Sequence, residues 1–171
     1  VSFHGIDISN KLIENAEKIS SNEIIFSKKD ISKKNCNIGK YDRITCAGVL
    51  SIFDDPDAIL KNIFLNLNKN GKVFIFGFFN DFPYDVIVKY EDVINQKNKL
   101  QLGWNIHSLH TIRSICKKNK KNIKIHKFKM PFDLKKNKND PIRTWTQAIN
   151  GKRSFTNALG LILNGYWIEI Y

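Results

Sequence analysis

No pair of the nine glycines is spaced G-x-G at a strand-to-helix turn, so the 171 residues contain no glycine-rich loop of the kind that lets a backbone approach a bound dinucleotide. Cysteine is nearly absent. Cys36, Cys46 and Cys116 are odd in number, far apart and without CxxC spacing. That pattern favours reduced thiols in the cytoplasm over a disulfide framework or a zinc site. The four histidines do not cluster with them, and His107 with His110 is the only close pair. Long apolar runs are also missing: the longest, VFIFGFF, is the length of a strand and far short of a membrane span.

Arginine is scarce. Only Arg43, Arg113, Arg143 and Arg153 stand among 28 cationic residues, against 16 acidic ones, for a net charge of +12. A basic chain invites a nucleic-acid reading. Yet bidentate contacts to bases and phosphates favour Arg, and here Lys, Asn and Ile abound together, as AT-rich codons would produce. A solvated lysine surface is the expectation, and nucleic acid is not expected as a partner. The 42% hydrophobic and 12% aromatic content is that of a folded chain with a sizeable core.

What is present reads as alternating strands and helices. Ser2–Ile6 is expected to be a short buried strand, Ser9 an N-cap, and Leu12, Ile13, Ala16 and Ile19 fall on one face of the helix that follows. EIIFS (Glu23–Ser27) is the next strand, leading to Asp30, and the polar stretch Asn35–Lys40 is a loop. Arg43–Ala47 is a third strand ending at a turn-like Gly48. Asp55 caps a helix with Pro56 in its first position and Ile59, Ile63, Phe64 and Leu67 on one face. Asn70-Gly71 is expected to stop that helix, and KVFIFGFF to be a strand buried on both faces. Strand, helix and buried strand with short links make a βαβ unit and a parallel sheet. Asp81–Leu102 is mixed and expected to be helical in part. Ser108 caps a helix bearing Leu109, Ile112, Ile115 and Cys116, IKIHKFKM is a strand, and LGLIL–NG–YWIEIY is expected to be a hairpin about Asn164-Gly165. No repeat or linker interrupts residues 1–171, which read as one α/β domain.

In their order, GIDIS with its helix, IIFSKKDI, and YDRITCAGVLSIFDDPDAILKNIFLNLNKNGKVFIFGF resemble the class I S-adenosylmethionine-dependent methyltransferases from Val1 to Phe79, with a weaker echo to Tyr171. The resemblance implies a Rossmann-like fold, a mostly parallel sheet flanked by helices with an antiparallel C-terminal hairpin. It implies S-adenosyl-L-methionine as cofactor, with Asp7 on the ribose, Ile8 on the adenine, Asp30 near the adenine amino group beside Ile31, and Cys46, Ala47 and Gly48 at the methionine end. Family members carry a first strand and a glycine-rich turn before GIDIS. The resemblance therefore implies about 30–50 residues upstream of Val1, the length of a strand, its turn and a crossover helix.

Elementary chemistry is consistent with the role for Asp7: a carboxylate at the carboxyl end of a parallel strand sits at the crevice of such sheets and can accept from two hydroxyls. Asp7 read alone is equally an acid at a helix N-terminus, and Asp30 equally a turn residue. For catalysis, His107 and His110 are the available bases, and Trp104, Tyr84 and Tyr90 are aromatics that could face a substrate. At the end of Arg43–Ala47, which matches the family's fourth strand, CAGVL stands instead of the N/D-P-P-aromatic run of base-directed amino-methyltransferases, no Pro-Cys pair marks a cytosine C5 enzyme, and no paired-glutamate loop marks arginine methylation. A small-molecule methyl acceptor remains. Two other readings stand beside it: an inactive binding module using the basic stretch Lys117–Lys129 for RNA or an acidic partner, and an NAD-dependent oxidoreductase, whose cofactor ribose an acid after the second strand would also suit.

Overall fold

The computed structural model describes residues 1–94 and 99–171. Its elements in chain order are β1 (Phe3–Asp7), α1 (Asn10–Ile19), β2 (Ile24–Lys28), β3 (Tyr41–Ala47), a 3-10 turn at Leu50–Ile52, α2 (Pro56–Leu65), β4 (Leu67–Asn80), β5 (Lys89–Glu91), β6 (Leu100–Leu102), β7 (His107–Ser108), α3 (Leu109–Lys118), β8 (Ile123–Phe128), β9 (Trp145–Ile149), β10 (Lys152–Thr156), β11 (Ile162–Leu163) and β12 (Gly165–Ile170). The main sheet runs β3-β4-β12-β8. β3 and β4 are parallel, β12 is antiparallel to both its neighbours, and β7 pairs in parallel with β4 at Phe79 and Asn80. β1 and β2 form a separate parallel pair.

Alternation along β4 explains the layering. Val73, Ile75 and Phe79 are buried on the face covered by α2 and α3, where Ile59, Leu60 and Ile63 meet Ile112, Ile115 and Cys116. The opposite residues, Phe76 and Phe78, join Phe128 and Phe155 in an aromatic cluster, with Phe76–Phe128 edge-to-face at 5.2 Å between centroids and Phe78–Phe155 tilted at 5.4 Å. That second face is covered by the small antiparallel sheet β11-β10-β9.

The helix signals act as their chemistry dictates. Ser9 Oγ accepts from the Leu12 amide, Asp55 Oδ1 from the Asp57 amide at 2.9 Å, and Ser108 Oγ from the Thr111 amide at 2.9 Å. Asp57 ties α2 to α3, meeting Lys61 Nζ at 2.7 Å and Lys118 Nζ at 3.6 Å; the Lys61 ammonium foremost holds its carboxyl below the ordinary range.

Four expectations are corrected. The helix over Pro56–Leu65 ends at Asn66, not at Asn70-Gly71, so Leu67 begins β4 instead of lining α2. Asn66 stops it with its own side chain, whose Nδ2 donates to the Asn62 and Cys36 carbonyls while Oδ1 accepts from the Ile38 amide. Gly71 instead sits in a bulge where β4 slips register against Tyr41 and Arg43. A Cβ there would lie 2.7 Å from Leu67 Cδ1 and 3.0 Å from the Tyr41 carbonyl oxygen. Because that oxygen is backbone and cannot swing aside, Gly71→Ala is expected to cost about 1–3 kcal/mol in urea unfolding at unchanged m-value.

β1 is not buried as a strand: Phe3 is 54% exposed and the rest of it only half covered, and on α1 above it Leu12 and Ile19 are 55% and 87% exposed, with only Ile13 and Ala16 half covered. A two-stranded ribbon is too narrow to cover a whole helix face. Among the described residues of 81–102 there is no helix, only the β5–β6 pair; residues 95–98 of that expectation lie outside the described residues. Finally, Asn164-Gly165 is not a hairpin turn, because β11 pairs with β10 and β12 with β4 and β8. The C-terminal antiparallel hairpin is β9–β10, turning through Asn150 (φ 50°) and Gly151 (φ 72°), the left-handed pair a two-residue loop demands.

Candidate functional site

Two cavities adjoin at the carboxyl ends of the strands, on either side of the segment Gly48–Phe53, with Ile52 in the wall of both. The larger, about 600 Å³, lies between β1 and β3. No backbone hydrogen bond joins these two strands among the described residues. A side-chain bridge spans the gap: Tyr41 Oη donates to the Ile38 carbonyl at 2.8 Å and accepts from His4 Nδ1 at 2.5 Å, so His4 Nε2 accepts from Ser27 Oγ at 2.6 Å in the neutral ring.

Asp7, Ile8, Asp30, Ile31 and Cys46 all line this larger cavity. Asp7 ends β1, where its Oδ1 accepts from the Ser9 amide at 2.7 Å, and the carboxylate retains acceptor capacity for a ligand. Ile8 is 61% exposed, an apolar side chain left at the rim. Asp30 Oδ1 accepts from the Ser32 hydroxyl at 2.6 Å and the Ser32 amide at 2.9 Å, and those two bonds, the hydroxyl first, hold its carboxyl below the usual range. This is the turn geometry that an isolated Asp after a strand suggests, and it fixes the carboxylate at the wall. Ile31 packs on the main core. Cys46 is buried, and burial pushes its thiol up to about 12, so it stands in the wall as a protonated apolar group. Gly48 belongs to the smaller cavity, and Ala47, exposed, is not in either wall.

The donor set suits an adenosine. Two carboxylates stand at one wall with acceptor capacity for hydroxyl and amino groups, isoleucines supply apolar surface, and the volume is in the range of cofactor pockets.

The smaller cavity, about 350 Å³, sits over the ends of β3 and β4. Trp104 lines it, whereas Tyr84 is 70% exposed and neither Tyr84 nor Tyr90 is in its wall. Of the two histidines, His107 is buried in this wall, and His110 is exposed at the start of α3. His107 Nε2 donates to the Phe53 carbonyl at 2.9 Å and lies 3.2 Å from that of Leu50. Phe76, Phe78, Ser51 and Thr144 also line the wall, and the sequence analysis names none of them as a site residue. Alternation along VFIFGFF separates the two faces of β4 without telling which one fronts a cavity.

The basic stretch is engaged within the fold. Lys118 meets Asp57, Lys127 lies 3.4 Å from Asp81, and Lys121, Lys124 and Lys127 stand over the rings of Phe64, Tyr171 and Tyr166. Among the described residues no helix is long and apolar enough to cross a membrane.

Residues 1–73 match the family described as "Methyltransferase domain". No curated protein matches the sequence. Among solved structures, a SAM-dependent methyltransferase from Methanosarcina mazei superposes with a TM-score of 0.62 at 14% identity, covering 99% of this chain and 81% of its own. The YcgJ protein of Bacillus subtilis gives 0.62 at 12% identity, with the same coverage of 99% and 81%. Magnesium protoporphyrin IX methyltransferase from Synechocystis, solved with bound SAM, gives 0.53 at 15% identity, covering 99% and 59%. Along its length the chain has the fold of solved SAM-dependent methyltransferases, and by sequence its residues 1–73 match the methyltransferase-domain family.

Proposed function

We propose that residues 1–171 act as one methyltransferase domain that moves a methyl group from S-adenosylmethionine to a small-molecule acceptor. The observation that carries this is the pair of adjoining cavities: one with carboxylates and a cofactor-sized volume, the other apolar, meeting across Gly48–Phe53. Bound in the larger, S-adenosylmethionine supplies a methyl group on a positively charged sulfur. Asp7 accepts from the ribose hydroxyls, Asp30 from the adenine amino group, and Ile8 and Ile31 flank the adenine. Cys46 borders the methionine end, with Gly48 across the dividing segment in the smaller cavity and Ala47 in neither wall; the protonated Cys46 thiol does not compete as a nucleophile.

Transfer breaks the sulfur–methyl bond with its electron pair remaining on sulfur and forms a bond from the acceptor atom to that carbon, and a protonated acceptor releases its proton to solvent. The chain's contribution is alignment of the two molecules and exclusion of water between them.

Calorimetric titration with S-adenosylhomocysteine and with NADH tests the reading. Micromolar binding of the first and none of the second is expected, and the reverse preference would replace it with the oxidoreductase. Strong RNA binding that falls steeply with salt would favour the basic module, although four of its lysines, Lys118, Lys121, Lys124 and Lys127, are engaged by Asp57, Asp81 and three aromatic rings.

A further inference from the structure

We infer that Tyr41 is a positioning residue for the larger cavity: through His4 it pins the unit β1–α1–β2, and with it Asp7 and Ile8, against β3. The identity of the ligand that profits from the pin rests on the methyl-transfer reading above.

The unit is otherwise loosely joined to the body. No residue of β1, α1 or β2 is buried. β1 pairs with β2 on one side, and among the described residues no strand pairs with its other edge. Among the described residues His4–Tyr41 is also the only hydrogen bond between residues 1–28 and residues 40–171. The stretch that follows β2 is fastened to α2 instead. Ile31 packs on the main core, and Asn62 Nδ2 donates to the Ile31 and Lys33 carbonyls at 2.6 and 2.9 Å. A unit with so little buried surface opens at lower cost than the body it leans on.

The pin is a directed chain of bonds. Ser27 Oγ donates to His4 Nε2, His4 Nδ1 donates to Tyr41 Oη, and Tyr41 Oη donates to the Ile38 carbonyl. Ile38 is held in turn, its amide donating to Asn66 Oδ1 at 2.8 Å. Each bond fixes the donor of the next, so β2, β1, β3 and the end of α2 are tied in one line.

Its place on the strands gives it a bearing on the ligand. His4 and Tyr41 line the larger cavity together with Asp7, Ile8 and Cys46. Tyr41 is the first residue of β3, and His4 precedes Asp7 by three positions, about 10 Å along a strand. The pin thus holds the amino-terminal halves of β1 and β3 together and leaves their carboxyl ends apart for a ligand. Without it, a ligand touching both strands must draw the unit in, and its apparent affinity falls by the fraction of time the unit is closed.

The test reads calorimetric S-adenosylhomocysteine affinity and amide hydrogen exchange on the whole chain. Tyr41→Phe keeps the ring and removes the hydroxyl. Exchange in β1, α1 and β2 should quicken about tenfold while that of β4 and β12 stays within about twofold, and S-adenosylhomocysteine should bind about tenfold more weakly. Two His4 variants separate the pin from packing. An Asn amide nitrogen stands where Nδ1 does and donates to Tyr41, whereas a Gln amide reaches the place of Nε2 and meets Ser27. His4→Gln should therefore match Tyr41→Phe, and His4→Asn should recover most of the loss. The double variant Tyr41→Phe with His4→Gln should be little worse than either alone. Unchanged exchange in the unit, equal behaviour of the Asn and Gln variants, or quickened exchange throughout the chain overturns the inference. A parent chain that binds no S-adenosylhomocysteine loses the cofactor reading, and the exchange of β1, α1 and β2 then decides the pin by itself.

Discussion

Replacing Asp7 by alanine is expected to weaken S-adenosylhomocysteine binding by about 10- to 100-fold, with calorimetry as the measurement. A carboxylate accepting from a ligand hydroxyl makes a charge-assisted bond worth about 1.5–3 kcal/mol, and each 1.4 kcal/mol is tenfold in affinity. The variant also loses the bond from the Ser9 amide that shapes the entry to α1, so alanine alone would mix binding with local structure. Asp7→Asn separates the two. Its carbonyl still accepts from Ser9, the charge is gone, and an intermediate loss of about tenfold is expected at unchanged Tm. Binding within twofold of the parent for both variants would remove Asp7 from the cofactor site.

The second large effect is on stability. Asn66→Leu is expected to lower the unfolding free energy by about 3–5 kcal/mol, because it leaves the Ile38 amide and the Cys36 carbonyl without partners at about 1–3 kcal/mol each and takes the cap from α2. For a chain of this size that is a Tm lowered by about 6–20 °C. Asn66 is 1% exposed, so water cannot replace what the side chain supplies. Asn68→Ala is the comparison: the half-buried Asn68 donates to Asp42 at 2.8 Å in a solvent-exposed hydrogen bond, and its loss should cost under about 1 kcal/mol. Similar effects of the two substitutions would mean that the loop over Cys36–Ile38 stays paired by other means.

Asn66 also illustrates what the sequence conceals. The start of α2 is written locally, in Asp55 and Pro56, and is legible. Its end depends on a side chain reaching Cys36 and Ile38, some 28 to 30 residues away, and Asn70-Gly71 offers a nearer but false stop. The same contrast runs through the strands. β1, β2, β3 and β8 are visible from residue type within a few positions, and the Asn164-Gly165 dipeptide looks like a hairpin because its neighbours are strand-like on both sides. Which strand each neighbour joins is decided by β4 and β10, which no local pattern names. Asp81–Leu102 reads as partly helical because a polar, mixed segment carries no clear period of either kind, whereas its described residues hold only short extended pairings. At the site, Asp7 and Asp30 are legible because they follow strands. Trp104 is legible as an aromatic, but its left-handed backbone and the bonds that hold Asn105 beside it exist only in three dimensions.

The placement of β12 has a kinetic consequence. Val73 pairs with Ile170, 97 positions later in the chain, and β8 reaches the sheet only through β12. At about 5–20 residues per second, a ribosome needs roughly 5–20 s to make the intervening stretch. During that time β4 has an open edge next to one of the most apolar runs in the protein, and β8 has no partner. Non-local pairing of this kind slows folding, so the nascent chain should depend on holdase chaperones until β12 arrives, and refolding from denaturant should slow as protein concentration favours edge-to-edge association.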